Sequence, residues 1–491
     1  MKLTDATLFR QQCFIDGEWC DAEKDSLIEV TNPADGEILG SVPRMGAPET
    51  RLAIEAANVA FKPWSALPAK QRSSKLRKWF ELMLEHQEDL SMLITMEQGK
   101  SLTEARGEIV YAASFIEWFA EEGKRAYGEV IPHTQEDKRY LVIKQPIGVV
   151  AAITPWNFPA AMITRKAGPA LAAGCPVVLK PASSTPYTAL ALAALGQRAG
   201  LPAGVFNVIT GASGEIGTEL TSNPLVKKIS FTGSTEVGKK LIAQSASTVK
   251  KVSMELGGNA PLLVFDDANL DAAVDGVMAS KFRNSGQTCV CTNRIYVQNS
   301  IYDSFVDKLH IAIKGLKVGN GLDSESDQGP LIDLAAVEKV EEHIEDAVLK
   351  GGKIVCGGSR HSLGGSFFEP TLLVDANQEM KVASEETFGP LAPVFRFMED
   401  QEGIDMANAS EFGLAAYFYA SDMARIWRIA EAVESGMVAI NTGILSNEVA
   451  PFGGVKQSGL GREGSRHGLD EYLEIKYLCF GGIKELSLIH I

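Results

Sequence analysis

The stretch Gly148-Val-Val-Ala-Ala-Ile-Thr-Pro-Trp-Asn-Phe-Pro159 opens a regular beat of short apolar strand, glycine or proline turn, and amphipathic helix that continues to Phe265. The strands of this series are Val149 to Ile153, Pro176 to Leu179, Val205 to Ile209, Lys228 to Phe231 and Val252 to Leu256. Apolar strands alternating with helices predict a parallel, doubly wound α/β sheet. Ligands bind such sheets beyond the carboxyl ends of the strands, where the polar turns of this region fall.

Outward from this region the pattern extends in both directions. After Phe265 a second alternating series runs to about Asn441, with helices such as Asp271 to Ser280 and Tyr302 to Ile313, and predicts a second α/β domain. On the other side, residues 11 to 48 hold short strands broken by turn signals at Asn32-Pro33 and Asp35-Gly36. Residues 50 to 122 read as mainly helical: Leu76, Phe80, Met83 and Leu84 share one face, then Leu90, Leu93 and Ile94, then Ile109, Ala112, Ala113 and Ile116. Residues 138 to 144 read as a strand bounded by Pro146, and Tyr472 to Leu478 alternates like a strand with no partner in its own neighbourhood.

At 491 residues and 45% hydrophobic content the chain is long enough for more than one core. A net charge of -15 argues against nucleic acid or an anionic membrane as partner, so any anionic ligand must be met by a few local Lys or Arg. Seven cysteines without CxxC spacing and seven histidines without HExxH imply neither a disulfide framework nor a metal, and fit a reducing, cytoplasmic setting. The N-terminus has no apolar core of a signal peptide, and no apolar run reaches membrane-spanning length.

The chemistry is expected at Lys281-Phe-Arg-Asn-Ser-Gly-Gln-Thr-Cys-Val-Cys-Thr-Asn-Arg294. There an apolar helix gives way to a glycine-containing turn that carries Cys289 into a β-branched strand, a place where a thiol is both reachable and open to activation. Alone, Cys289 would be read as a small buried hydrophobe. Two other stretches shift that balance. Glu255 ends an apolar strand before Gly257-Gly258, where desolvation raises a carboxyl pKa and suits it to general-base work, though a salt-bridged acid is the commoner fate. Asn157 lies in a turn stiffened by Pro155, Trp156 and Pro159 and offers a preorganised donor to an oxyanion, unless it serves turn geometry only.

Two glycine patterns mislead. Gly459-Leu-Gly-Arg-Glu-Gly464 fits GxGxxG literally but follows a loop, so it is not a dinucleotide fingerprint. Gly233-Ser-Thr-Glu-Val-Gly-Lys-Lys240 nearly fits a P-loop but lacks the magnesium-binding hydroxyl; Gly233, Ser234 and Gly238 instead shape a strand-to-helix turn, equally an ordinary one or one whose helix N-terminus meets a diphosphate. At the end of another strand, Lys180 and Ser183 form a turn that permits a ribose 2'-phosphate where an acid would repel it, which points to NADP over NAD; without a cofactor site nearby Lys180 reads as a solvated turn lysine.

Taken together, TPWNFP (from Thr154), KPASSTP (from Lys180), FTGSTEVG (from Phe231), MELGGNAP (from Met254), GQTCVC (from Gly286), EETFGP (from Glu385) and PFGGVKQSG (from Pro451) resemble the aldehyde dehydrogenase superfamily over nearly the whole chain. The resemblance implies a cofactor-binding domain at 1–125 and 147–257 and a catalytic domain at 258–457. It further implies an oligomerisation element at 126–146 and 458–483, in which the C-terminal strand would find a partner in another subunit. It also implies Cys289 as nucleophile, Glu255 as general base, Asn157 with the Cys289 N–H as oxyanion donors, and Thr154, Pro155, Trp156, Glu386 and Phe388 at the cofactor. Lys166 and Glu463 match proton-relay positions. Within the superfamily, Ala161 to Gly174, Lys281 to Cys291 and Asn441 to Gly454 are similar to NADP-preferring succinate-semialdehyde dehydrogenases of 4-aminobutyrate degradation. There the matching Arg165, Arg283 and Ser446 hold the substrate's far carboxylate, although Arg165 also reads as a helix-surface ion pair. Ser183 departs from the glutamate usual in the family, and the NADP expectation rests largely on that departure.

The reaction the resemblance implies is thus oxidation of succinate semialdehyde to succinate with NADP, through a thiohemiacetal and thioester on Cys289, in a homo-oligomer, a dimer of dimers, with NAD the less favoured cofactor. Glutarate semialdehyde or a broader aldehyde range remains an alternative. So does a cysteine-dependent esterase or thioesterase, against which the lack of a histidine near Cys289 counts, and a catalytically silent relative. Cys291, two residues from Cys289, is equally a redox partner or a packed thiol. Residues 484–491 lie beyond the ends of relatives and are assigned no role.

Overall fold

Strands Val149–Ile153, Val177–Lys180, Phe206–Val208, Val226–Thr232 and Lys251–Glu255 lie side by side and parallel. In space the 149–153 strand sits between 177–180 and 226–232, and 251–255 lies beyond 226–232. All five carboxyl ends therefore face the same way, and the turns at Thr154, Pro181, Gly233 and Leu256 open on one edge. The computed structural model describes residues 3–22 and 26–483, so the tail 484–491 lies outside the described residues.

Successive side chains of a strand point to opposite faces, and the burial follows that rule. Val150 and Ala152 join the core formed with helices Ala69–Glu85, Leu102–Glu122, Ala161–Ala173 and Tyr187–Arg198, while Val149 and Ala151 join the core on the other face. The second sheet is built likewise. Strands Ala260–Val264, Thr292–Gln298, Leu391–Phe397 and Ala415–Tyr419 are its parallel centre. Leu263 and Phe265 pack on one side of it, Leu262 and Val264 on the other. The molecule is the mixed α/β structure with two parallel-rich sheets that the alternating pattern predicts.

Two local expectations need correction. Leu84 was expected on the buried face of its helix but is 38% exposed, because Trp79 and Leu82 take the inward positions. The C-terminal strand, expected to find its partner in another subunit, pairs within its own chain. Leu473–Phe480 runs antiparallel to Arg139–Pro146, from Leu473↔Pro146 to Phe480↔Arg139, with Glu129–Ile131 on the far side. The partners lie too far apart in the chain for local pattern to reveal. The discounted glycine stretch also has a role: Gly459–Leu460 adds an antiparallel edge to strand 251–255. A Cβ at Gly459, whose φ is +146°, would fall 1.9 Å from the Met254 carbonyl oxygen.

A buried carboxyl ties the helical layer to this sheet. Glu97, at the end of helix Gln87–Gln98, accepts hydrogen bonds from the backbone N–H groups of Tyr187 (2.7 Å) and Thr188 (2.9 Å), capping helix 187–198 from outside. Burial pushes its pKa from 4.5 up to about 8. The folded chain thus retains a proton that the unfolded chain has released. The associated stability is full below pH 4.5 and is lost as pH rises to about 8. Glu97→Gln is expected to flatten that part of the melting-temperature profile, measured by calorimetry across the interval.

Candidate active site

Helix Leu270–Lys281 ends where the sequence turns polar, and the chain then passes through Asn284 (φ 51°), Ser285 (φ 57°) and Gly286 (φ 76°). Left-handed conformations at two non-glycine residues cost of order 1–3 kcal/mol each and persist only where surroundings enforce them. Here the Asn284 N–H donates to Glu104 Oε1 (2.7 Å), Ser285 Oγ to the Gly329 carbonyl (2.9 Å), and the Gln287 side chain accepts from the Ile332 N–H (2.9 Å). Gly286 is required, since a Cβ there would lie 2.1 Å from the Gly389 carbonyl oxygen. The turn delivers Cys289, partly exposed, to the wall of a cavity of about 300 Å³.

Cys289 is reachable, but its surroundings do not activate it. Burial pushes its pKa up to about 12, the carboxyls of Glu386 and Glu255 act in the same direction, and Arg165 opposes them. The reason lies in the cavity wall, where Phe158, Val290 and Phe452 leave little water to solvate a thiolate. The expectation of a thiol activated by its turn is corrected to that extent: the chain alone holds it protonated.

Asn157 and Glu255 line the same cavity. The Asn157 side-chain amide donates one hydrogen to the Gln287 carbonyl (3.0 Å) and keeps its second N–H unspent. Its backbone carbonyl accepts from Lys100 Nζ (2.7 Å) and from the Asn284 side chain (3.0 Å), so the turn is held from two directions. The backbone N–H of Cys289 makes no hydrogen bond among the described residues and is a second free donor. Gly258 lets this strand end approach the thiol loop, because a Cβ there would sit 2.6 Å from the Cys289 carbonyl oxygen. Glu255 is 4% exposed, and among the described residues neither carboxyl oxygen has a hydrogen-bond partner. It is therefore not the salt-bridged acid of the commoner reading; burial, then the neighbouring Glu463, raises its pKa well above 4.5.

On one side of Cys289 the cavity is cationic. Arg165 is 1% exposed and so no surface ion pair. Its Nε lies 2.7 Å from a Glu463 carboxyl oxygen, though out of line for a hydrogen bond, and its guanidinium stacks 3.9 Å above the Phe452 ring. Arg283 lies over Phe158 at 4.7 Å, and Ser446 also faces the cavity. Lys166 does not itself line the cavity; it is bonded to Thr232 Oγ1 (2.6 Å), which does, and paired closely with Glu463.

Pro155, Trp156, Gly233, Ser234, Glu386 and Phe388 line the remaining side. Trp156 and Phe388 meet edge to face at 5.7 Å, and Glu386 accepts from the Gly258 N–H (3.1 Å) with its pKa raised by burial to about 7. Ser234 caps helix Thr235–Ser245 by accepting from the Val237 N–H. Thr154, Lys180, Ser183, Gly238 and Cys291 do not line this cavity. Thr154 and Lys180 sit at adjacent strand ends, joined by a 3.1 Å backbone bond. Gly238 packs under Leu256, and Cys291 is fully buried with its Sγ donating to the Lys281 carbonyl (3.4 Å).

Sequence reading missed the support behind Asn157. Lys100 and Glu108 form a fully buried pair at 2.6 Å, and Glu108 also accepts from the N–H groups of Ala160 (2.8 Å) and Ala161 (3.3 Å). That carboxylate anchors the start of the helix that carries Arg165. Glu104, Glu108, Tyr111 and Phe115 recur at 4-3-4 spacing on helix Leu102–Glu122, a second stripe beside the apolar one, and that spacing was the available signal.

The sequence profile described as "Aldehyde dehydrogenase family" matches residues 19–478. The chain is 66% identical over 483 residues to a glutarate-semialdehyde dehydrogenase of Pseudomonas aeruginosa, covering 98% of this chain and 100% of that one. It is also 66% identical over 481 residues to the NADP(+) succinate-semialdehyde dehydrogenase of Escherichia coli, with 98% and 100% covered. A crystal structure described as an E. coli NADP-dependent enzyme superposes with a TM-score of 0.97 at 66% identity, covering 98% of this chain and 100% of that one. These likenesses, which run along almost its whole length, make the chain a member of the aldehyde dehydrogenase family.

Proposed function

We propose that the enzyme oxidises succinate semialdehyde to succinate with NADP. The observation that carries this reading is the presence of Arg165 and Arg283 in the same cavity as Cys289, which suits an aldehyde bearing a carboxylate at its other end. The E. coli relative is named for that substrate and cofactor, the P. aeruginosa relative for the aldehyde one carbon longer.

In this mechanism Cys289 first gives its thiol proton to solvent, and Sγ then adds to the aldehyde carbon while Asn157 and the Cys289 N–H receive the carbonyl oxygen as it gains charge. When bound, the nicotinamide supplies the acceptor for the hydride that leaves that carbon. Cys289 then carries a thioester, and Glu255, with both oxygens unspent, takes a proton from the water that opens it. Glu386 would hold the nicotinamide ribose, with Trp156 and Phe388 beside it.

The residues at the other end of the cofactor site fit a 2'-phosphate. Lys180 is 5% exposed, its Nζ reaches only the Pro181 carbonyl (3.1 Å), and no carboxylate pairs with it among the described residues. Burial lowers its pKa to about 8, so an anion there would be welcome. The Thr154 hydroxyl beside it also lacks a partner. Ser183→Glu is expected to raise KM for NADP about 100-fold by like-charge repulsion, with little effect on NAD, in initial-rate assays with each cofactor.

Steady-state assays at the reduced-nicotinamide band, with succinate semialdehyde, glutarate semialdehyde and uncharged butanal, test the whole reading. It requires the highest kcat/KM for succinate semialdehyde with NADP; a higher value for glutarate semialdehyde, or no preference over butanal, rejects it.

Further assignments follow from the same reading: residues 1–125 and 147–257 bind the cofactor, 258–457 supply Cys289, and 126–146 with 458–483 mediate assembly. The free edge of strand 473–480, with Ile475 72% and Tyr477 58% exposed, supports pairing with a second copy and a dimer of dimers. All seven cysteines are free, which supports a reducing cytoplasm, and the hydrogen bond from Cys291 to the Lys281 carbonyl favours the packed-thiol reading. Among the described residues no helix is long and apolar enough to cross a membrane.

A further inference from the structure

The cationic half of the cavity has fewer donors to offer than its two arginines suggest. Arg165 Nε faces the Glu463 carboxyl at 2.7 Å without making a hydrogen bond, its Nη1 donates to Met162 Sδ (3.7 Å), and among the described residues Nη2 makes no hydrogen bond. A guanidinium turned by its Nε edge toward Glu463 does not offer that edge to a substrate carboxylate, which has about four lone-pair sites to satisfy. Neutral donors on the same wall add to what the guanidinium groups supply.

Tyr111 is placed to be one. It lies on helix 102–122 and lines the cavity with Arg165, Arg283 and Ser446. Its ring meets Phe115 edge to face at 5.0 Å, and Phe115 in turn lies 5.3 Å from the Arg165 guanidinium. The hydroxyl oxygen is buried and makes no hydrogen bond of sound geometry, although the Ser446 hydroxyl is close and both guanidinium charges act on it. Nearly all buried hydroxyls have partners, and a phenylalanine would fill this space without desolvating one. With two cations attracting the oxygen lone pairs, the hydroxyl hydrogen is free to rotate toward an anion that enters.

We infer that Tyr111 Oη donates a hydrogen bond to the far anionic group of the substrate and, with Ser446, determines specificity for aldehydes carrying a terminal anion. This rests on the function proposed above, because it needs a substrate with such a group.

Tyr111→Phe keeps the ring and its packing on Phe115 and removes one oxygen. The expected result is a KM for succinate semialdehyde raised about tenfold with kcat little changed, and an inhibition constant for the product succinate raised by a similar factor. Turnover of butanal and KM for NADP should not move. An unchanged KM for the semialdehyde overturns the inference. So does an equal loss with butanal, which would mean that the hydroxyl only supports the wall. If the wild-type enzyme itself shows no preference for the semialdehyde over butanal, the proposed function fails, and this inference with it.

Discussion

Cys289→Ala is expected to abolish aldehyde oxidation, with a loss of about 10⁶-fold in kcat, the scale seen when a covalent nucleophile is removed from an otherwise intact site. The fold should survive. Cys289 is partly exposed at a cavity wall, and the turn that presents it is held by Glu104, Ser285 and Gln287, not by the thiol. Binding of NADP, followed by quenching of protein fluorescence, should therefore persist in the variant and separate lost chemistry from lost structure. The same site predicts the pH response of the free enzyme. Cys289 works only after losing a proton, and its pKa is pushed up to about 12, so alkylation by iodoacetamide should quicken steadily from neutral to alkaline pH. Fast alkylation at pH 6 that does not rise with pH would show that some group activates the thiol before any ligand arrives.

Glu255→Gln should show a different defect. If Glu255 activates the water that opens the thioester, the first turnover proceeds and the second does not: rapid mixing gives a burst of reduced cofactor, then a steady rate lower by about 10²–10⁴. The thioester should then be detectable on Cys289 by intact-protein mass spectrometry. Loss of the burst together with the steady rate would instead make Glu255 the base that takes the thiol proton. The pH trend again has a definite sign. Glu255 must be ionised to act, and burial and Glu463 raise its pKa, so the wild-type steady rate should climb with pH and the climb should vanish in Glu255→Gln.

These two variants probe residues that were legible in the sequence, because each stands where a local pattern breaks. Glu255 ends an apolar strand, Cys289 follows the end of an apolar helix, and Asn157 lies between two prolines. What was not legible was the electrostatic state of Cys289. The sequence reading took the Cys289 turn as open to activation, but pKa depends on what surrounds the sulfur in space, and Phe158 and Phe452 come from segments remote from Cys289 in the chain. The support behind the site was hidden for a similar reason. Nothing local marks Lys100 or links it to Glu108 until the fold brings the Asn157 carbonyl to within 2.7 Å of Lys100 Nζ.

The order of strands and helices, the burial of both sheet faces and the position of the reactive thiol were determined by the sequence itself, since periodicity and turn chemistry are properties of neighbouring residues. Only the tertiary structure decided that strand 473–480 pairs with 139–146, that Arg165 is committed in part to Glu463, and that the Tyr111 hydroxyl is left without a partner beside two cations. Each of those is a contact between segments remote in the chain, set by how the layers close on one another and by which polar groups that closure strips of water.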